Sequence, residues 1–130
     1  MKVLIDTHVL LWWLADDASL PHAARTVIAS PENEVVVSAA SAWEIAIKQA
    51  LGRLDAPDDL LAVLNENDFD TLPMTASHAL AAGRLPPHHT DPFDRMLIAQ
   101  ASVEDYTLIT VDTRFNLYDI ALLSLAEAPG

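Results

Sequence analysis

The chain has 130 residues, no cysteine, and 19 acidic against 7 basic side chains, for a formal net charge of -12. That balance excludes wholesale electrostatic capture of a polyanion, and the lack of thiols excludes a disulfide framework and thiolate chemistry. A hydrophobic fraction of 52% excludes a disordered composition, and a chain of this length buries roughly two-thirds of its unfolded surface, which fits one domain over residues 1–130.

The chain opens on a short apolar, β-branched run, Lys2 to Ile5, which predicts a buried strand. Asp6 interrupts it too early for a signal peptide, and no stretch approaches the roughly 18 apolar residues of a membrane span. The expectation is a soluble cytoplasmic protein. A helix is predicted from His8 to Leu14. A second runs from Pro21 to Ser30, with Ser19 or Leu20 near its start and Pro31 ending it. Glu34 to Ser38, around Val35-Val36-Val37, is the second strand. Ser38 to Leu51 is helical and stops at Gly52. Asp58 or Asp59 opens a helix to about Asn67, and Phe69 to Pro73 is a short third strand. Thr75 to about Ala82 is helical, and Gly83 to Thr90, containing Pro86-Pro87-His88-His89, is a loop. Asp91 caps a helix running to about Glu104, with Pro92 at its first position. Thr107 to Val111 is the next strand, and Ala121 to Ser124 a last one.

Alternation of helices with continuously apolar strands predicts a three-layer α/β fold, a central parallel sheet of about four to five strands flanked by helices. Ligands in such folds bind outside the carboxyl ends of the strands, where strand order reverses. Asp6 and Asp112 stand at two such ends. Two helical acids join them. Glu44 lies on a stripe with Ala40, Ile47 and Leu51, and Asp94 shares a face with Leu97, Ile98 and Ala101. Each has a simpler role available. Asp6 can cap the helix near His8, Asp112 the turn Thr113–Asn116, Glu44 can pair with Lys48, and Asp94 can offset its helix dipole. Asp91 is read as a cap, so Asp94 is the inward acid.

All four would project toward one end of one sheet, and a carboxylate beside buried strands is costly unless a cation satisfies it. An all-oxygen set without cysteine favours Mg²⁺ or Mn²⁺ over zinc. The histidines form no His-x-x-x-His or His-Glu-x-x-His pattern, and His88-His89 point in different directions if extended, so they are read as lining the loop. A divalent ion held by carboxylates engages phosphate oxygens and activates water, which makes phosphodiester hydrolysis the natural reaction class.

The set Asp6-Thr7, Ser41-Ala42-Trp43-Glu44, Asp91-Pro92-Phe93-Asp94-Arg95 and Thr110-Val111-Asp112 resembles the PIN-domain ribonucleases, in particular VapC toxins of bacterial toxin–antitoxin pairs. The likeness runs from Val3 to about Leu123, and the Asp-Pro-Phe-Asp-Arg run is its most specific piece. It implies a PIN-like (Rossmann-like) fold in which Asp6, Glu44, Asp94 and Asp112 bind one or two Mg²⁺ or Mn²⁺ ions. Thr7 and Thr110 would orient carboxylates, and Arg95 and Arg114 would contact RNA phosphates, although Arg95 equally suits a surface ion pair. It also implies a homodimer, a cognate VapB-type antitoxin, and growth arrest through cleavage of specific RNAs such as tRNA or rRNA. One departure is Val111, where related sequences often carry a polar residue.

Adjacent Trp12 and Trp13 cannot both face one core. They fit either ordinary packing between helices or a dimer or antitoxin interface. Other classes fare worse. A haloacid-dehalogenase-type phosphatase needs a second Asp where His8 stands, a receiver domain needs an acidic pair after the first strand, and three glycines cannot build a phosphate-cradling loop. The remaining alternative is a non-catalytic PIN-like protein-binding module, against which stands the presence of all four acids.

Overall fold

The computed structural model describes residues 1–123 and 125. In chain order it contains β1 (Lys2–Ile5), α1 (Thr7–Leu14), α2 (His22–Ala29), β2 (Glu34–Ser38), α3 (Ala39–Ala50), α4 (Leu60–Glu66), β3 (Asp70–Leu72), α5 (Ala76–Gly83), α6 (Pro92–Glu104) and β4 (Thr107–Ile109), followed by a 3₁₀ turn, Thr113–Leu117. The strands form one parallel sheet in the order β3-β2-β1-β4. Residue alternation along the strands divides the core between the two faces. Val3, Ile5, Val35, Val37 and Ile109 pack with Val9, Leu10, Ala24, Ile28, Ile45 and Leu64 from α1 to α4. Leu4, Val36 and Leu108 face the other way, onto Leu97, Ile98 and Ala101 of α6 and onto Phe115. This is the three-layer arrangement expected of fully apolar parallel strands.

Local signals account for the boundaries. Ser38 caps α3 by accepting from Ala40 N, and Asp91 caps α6 by accepting from Phe93 N and Asp94 N, with proline at the first position. Gly52, at φ +69°, takes the left-handed conformation that ends α3 without a side-chain penalty. β4 stops at Ile109, whose carbonyl accepts from Asp6 N at 3.1 Å as the last rung of the ladder, and Thr110 turns its hydroxyl toward Asp6. The expected last strand is reduced to a single parallel bridge between Leu122 and Leu108; Ser124 lies outside the described residues. No helix among the described residues is long and apolar enough to cross a membrane.

Strand order reverses at β1, which has β2 on one side and β4 on the other. The crevice at the carboxyl ends of β1 and β4 is therefore the place where this topology builds a site.

Candidate metal centre

Asp6, Glu44, Asp94 and Asp112 line a single cleft of about 490 Å³ at that crevice, together with Asp91. Asp6, which is 5% exposed, both caps α1 and faces the cleft. Its Oδ1 accepts from Val9 N at 2.8 Å and its Oδ2 from the Thr110 hydroxyl at 2.5 Å. Each carboxylate oxygen has two lone pairs, so these bonds leave acceptor capacity for a cation. Burial raises the pKa of Asp6, against the opposing effect of those two hydrogen bonds.

Glu44 is 6% exposed and pairs with Lys48 one helical turn on, at 2.8 Å. Asp94 sits in the first turn of α6, where burial, then the charge of Asp91, push its pKa up to about 6 while His89 opposes the rise. Asp112 caps the 3₁₀ turn. Its carboxylate accepts from Arg114 N at 2.9 Å and from the Arg114 guanidinium at 2.7–3.2 Å, and that guanidinium above all holds its pKa down at about 2. Two carboxylates in one cleft thus differ by several units, because one is desolvated among acids and the other is forked by an arginine.

This donor set fits a hard divalent ion. Oxygen ligands predominate, they come from four separate elements, and they remain crowded without enough cationic side chains to neutralise them. Lys48, Arg53 and Arg114, three of the chain's seven basic residues, also line the cleft. Two of them are paired with acids of the cleft, Lys48 with Glu44 and Arg114 with Asp112.

Several expected roles look different in three dimensions. Thr110 orients a carboxylate, but the Thr7 hydroxyl donates to Ser41 at 2.9 Å instead, tying α1 to α3. As the first residue of α1 it faces the neighbouring helix. Arg95 points away from its neighbour Asp94, and its guanidinium donates to the carbonyls of Ala82, Leu85, Pro86 and His89. It clamps the loop before α6 and makes no ion pair among the described residues. Trp13 belongs to the core, donating to Asn67 Oδ1 at 3.1 Å and packing on Phe69. Trp12 packs against His8 with the rings tilted and lines a groove adjoining the acidic cleft, with Leu11, Leu14, Leu54 and Pro57.

The sequence reading missed two residues. His89, read only as lining its loop, is buried with its Nε2 2.9 Å from Asp94 and 3.3 Å from Asp112. Trp43 is 57% exposed and meets Phe93 edge-on at 5.2 Å. It stands directly before the inward-facing Glu44, a place that did not distinguish it from a core residue.

A parallel α/β domain with clustered carboxylates at its strand-order reversal is the class that fold and cleft define. Residues 3–121 match the PIN domain family, and the chain belongs to it. Ribonuclease VapC22 of Mycobacterium tuberculosis is 33% identical over 117 residues, covering 88% of this chain and 89% of the relative. Among solved structures, the DNA-bound VapBC of Salmonella typhimurium superposes with a TM-score of 0.69 at 16% identity, covering 97% of this chain and 99% of that one. The DNA-bound VapBC2 of Rickettsia felis gives 0.68 at 13%, covering 95% and 98%. At those identities the likeness is one of fold.

Proposed function

We propose that the protein is a Mg²⁺-dependent endoribonuclease, the toxin of a VapBC-type pair, which cleaves specific cellular RNA such as tRNA or rRNA in the cytoplasm and is neutralised by a cognate VapB-type antitoxin. The observation that carries this reading is the convergence of Asp6, Glu44, Asp94 and Asp112 on one cleft. The relative named Ribonuclease VapC22 and the folds shared with VapBC complexes support it. Asp6, Asp94 and Asp112 would hold the ion, with Mn²⁺ able to substitute. When bound, it would activate water and stabilise charge developing on the phosphate.

The chain's own groups do the rest. Thr110 holds Asp6 in one rotamer. Glu44, paired with Lys48, accepts a proton from the attacking water or binds the ion through water. Arg114 and Arg53 at the cleft receive the RNA backbone. The groove beside Trp12 suits the apolar side chains of an antitoxin segment, and its closeness to the cleft gives a route to inhibition. A homodimer belongs to the same reading. The apolar face on which Trp43 and Met74 are exposed and Phe93 and Met96 half-buried supports it, since such patches usually mark interfaces.

The test is cleavage of total cellular RNA by antitoxin-free protein with Mg²⁺, with Mn²⁺ and with EDTA. Discrete fragments that require metal are expected. Metal binding with no cleavage of any RNA would favour the non-catalytic protein-binding module instead.

A further inference from the structure

The loop before α6 is held far more tightly than a simple connection requires. Arg95 donates to the carbonyls of Ala82 at 2.8 Å, Leu85 at 3.0 Å, and Pro86 and His89 at 3.1 Å. The Tyr118 hydroxyl donates to Pro86 O at 2.7 Å and accepts from His89 N at 2.9 Å. Phe115 meets the His89 ring edge-on at 5.7 Å. All of this fixes one imidazole, 1% exposed at its side chain, between an acid of α6 and an acid of the turn after β4.

The backbone also determines which ring nitrogen carries hydrogen. Asp91 N–H can only donate, and it is directed at His89 Nδ1 at 3.2 Å. Nδ1 must therefore present its lone pair, and the hydrogen of the ring lies on Nε2. That nitrogen is the one bonded to Asp112 Oδ2 at 3.3 Å and lying 2.9 Å from Asp94 Oδ2. His89, Asp94 and Asp112 bring their donor atoms within 4.8 Å of one another, a spacing that by itself would suit a third metal ligand. A nitrogen bearing hydrogen has no lone pair for a metal, so the geometry separates the two roles.

We propose that His89 is a positioning residue, whose Nε2–H bonds Asp112 while the same nitrogen lies against the Asp94 carboxylate, so that two separately anchored acids are kept side by side as one ligand pair. Like charges brought this close repel, and a fixed donor between them offsets that repulsion at one spacing. Arg95 and Tyr118 act through it, by fixing the loop that carries it. The proposal rests on the reading of the cleft as a metal centre, but the donor is a property of the protein alone.

Two measurements test it. Long-range ¹H–¹⁵N spectra of the labelled protein, with His89 assigned through His89→Gln, should show the Nε2–H form before and after saturation with Mg²⁺. The Nδ1–H form, or loss of the Nε2 hydrogen as metal is added, would overturn the proposal. Mn²⁺ titration by calorimetry then compares two variants that both melt cooperatively. His89→Gln, whose amide N–H reaches the same place, should bind within about threefold of the parent, while His89→Leu should bind about 10–100-fold more weakly, as loss of a ligand's hydrogen-bond partner does. No loss in either variant, or equal loss in both, would contradict it. A parent protein that bound no metal would sink the metal-centre reading, and the spectrum would still decide what His89 does.

Discussion

Two buried histidines in this fold make nearly the same hydrogen bonds in opposite settings. His78, in α5, accepts at Nδ1 from Thr75 N at 3.1 Å and meets Glu104 through Nε2 at 2.8 Å. His89 accepts at Nδ1 from Asp91 N and meets Asp94 and Asp112 through Nε2. Around His78 the ledger of donors and acceptors closes. Gln100 accepts from the Ser38 hydroxyl at 2.5 Å and donates to Pro73 O at 3.3 Å, joining β2, α3, α5 and α6. Around His89 the charges do not balance, because five acids line the cleft against three bases. Buried polarity therefore marks both places, and the imbalance of charge singles out the second as the candidate site. The first cluster stabilises the fold, whereas the second, in the proposed metal centre, would keep ligands together against their own repulsion.

The comparison breaks most visibly when each cluster loses a member. Asp94→Asn should lower metal-dependent RNA cleavage by more than about 100-fold, since a correctly held ion contributes several kcal/mol to the transition state; gel-based cleavage kinetics read this directly. In EDTA above pH 6 the same variant should melt higher than the parent, because it removes a desolvated charge. Gln100→Ala should do the reverse. It leaves the Ser38 hydroxyl without its acceptor in a fully buried place and should cost about 1–3 kcal/mol in urea unfolding, with cleavage per folded molecule unchanged.

Titration sharpens the contrast. With its pKa raised to about 6, folded Asp94 holds a proton between roughly pH 4 and 6 that the unfolded chain releases. Its contribution to metal-free stability is present below pH 4 and lost as pH rises through 6. Asp112, held at about 2, runs the other way, its contribution being lost as pH falls from about 4 toward 2. Melting the parent and Asp94→Asn side by side across pH 4–7 should show the difference growing with pH and then levelling. The smallest effect is expected of Arg114→Ala, which should reduce the salt slope of RNA binding by about one and bring the Asp112 pKa back up toward its ordinary value. Arg95→Lys, by contrast, should leave that slope unchanged.

Where sequence reasoning worked, the determinants were local. Val35-Val36-Val37 reads as a strand buried on both faces, Asp91-Pro92 reads as a helix start, and both appear at those places. The end of β1 was legible because Asp6 follows its apolar run, whereas β4 stops at Ile109, two residues short of the expected Val111, where the Thr110 hydroxyl turns to Asp6. Capping, set beside metal binding as a rival role for Asp6 and Asp112, proved compatible with facing the cleft, since a carboxylate has two oxygens. What stayed hidden depended on contacts distant in sequence. His89 meets Asp112 23 positions later, so no spacing rule for paired histidines finds it. Its signal was the two-residue alternation of His88-His89 in a proline-stiffened loop, which sends one ring outward onto Tyr118 and the other inward. Arg95 follows Asp94 directly and so leaves α6 on another side, a direction that only the packing of the loop explains.

The most direct measurement is the position of anomalous scattering in a crystal soaked with Mn²⁺. A peak about 2.1 Å from carboxylate oxygens of Asp6, Asp94 and Asp112, lost in Asp94→Asn, is the predicted result. A protein that takes up Mn²⁺ elsewhere, with no peak in this cleft, would contradict the claim that these acids form a metal centre.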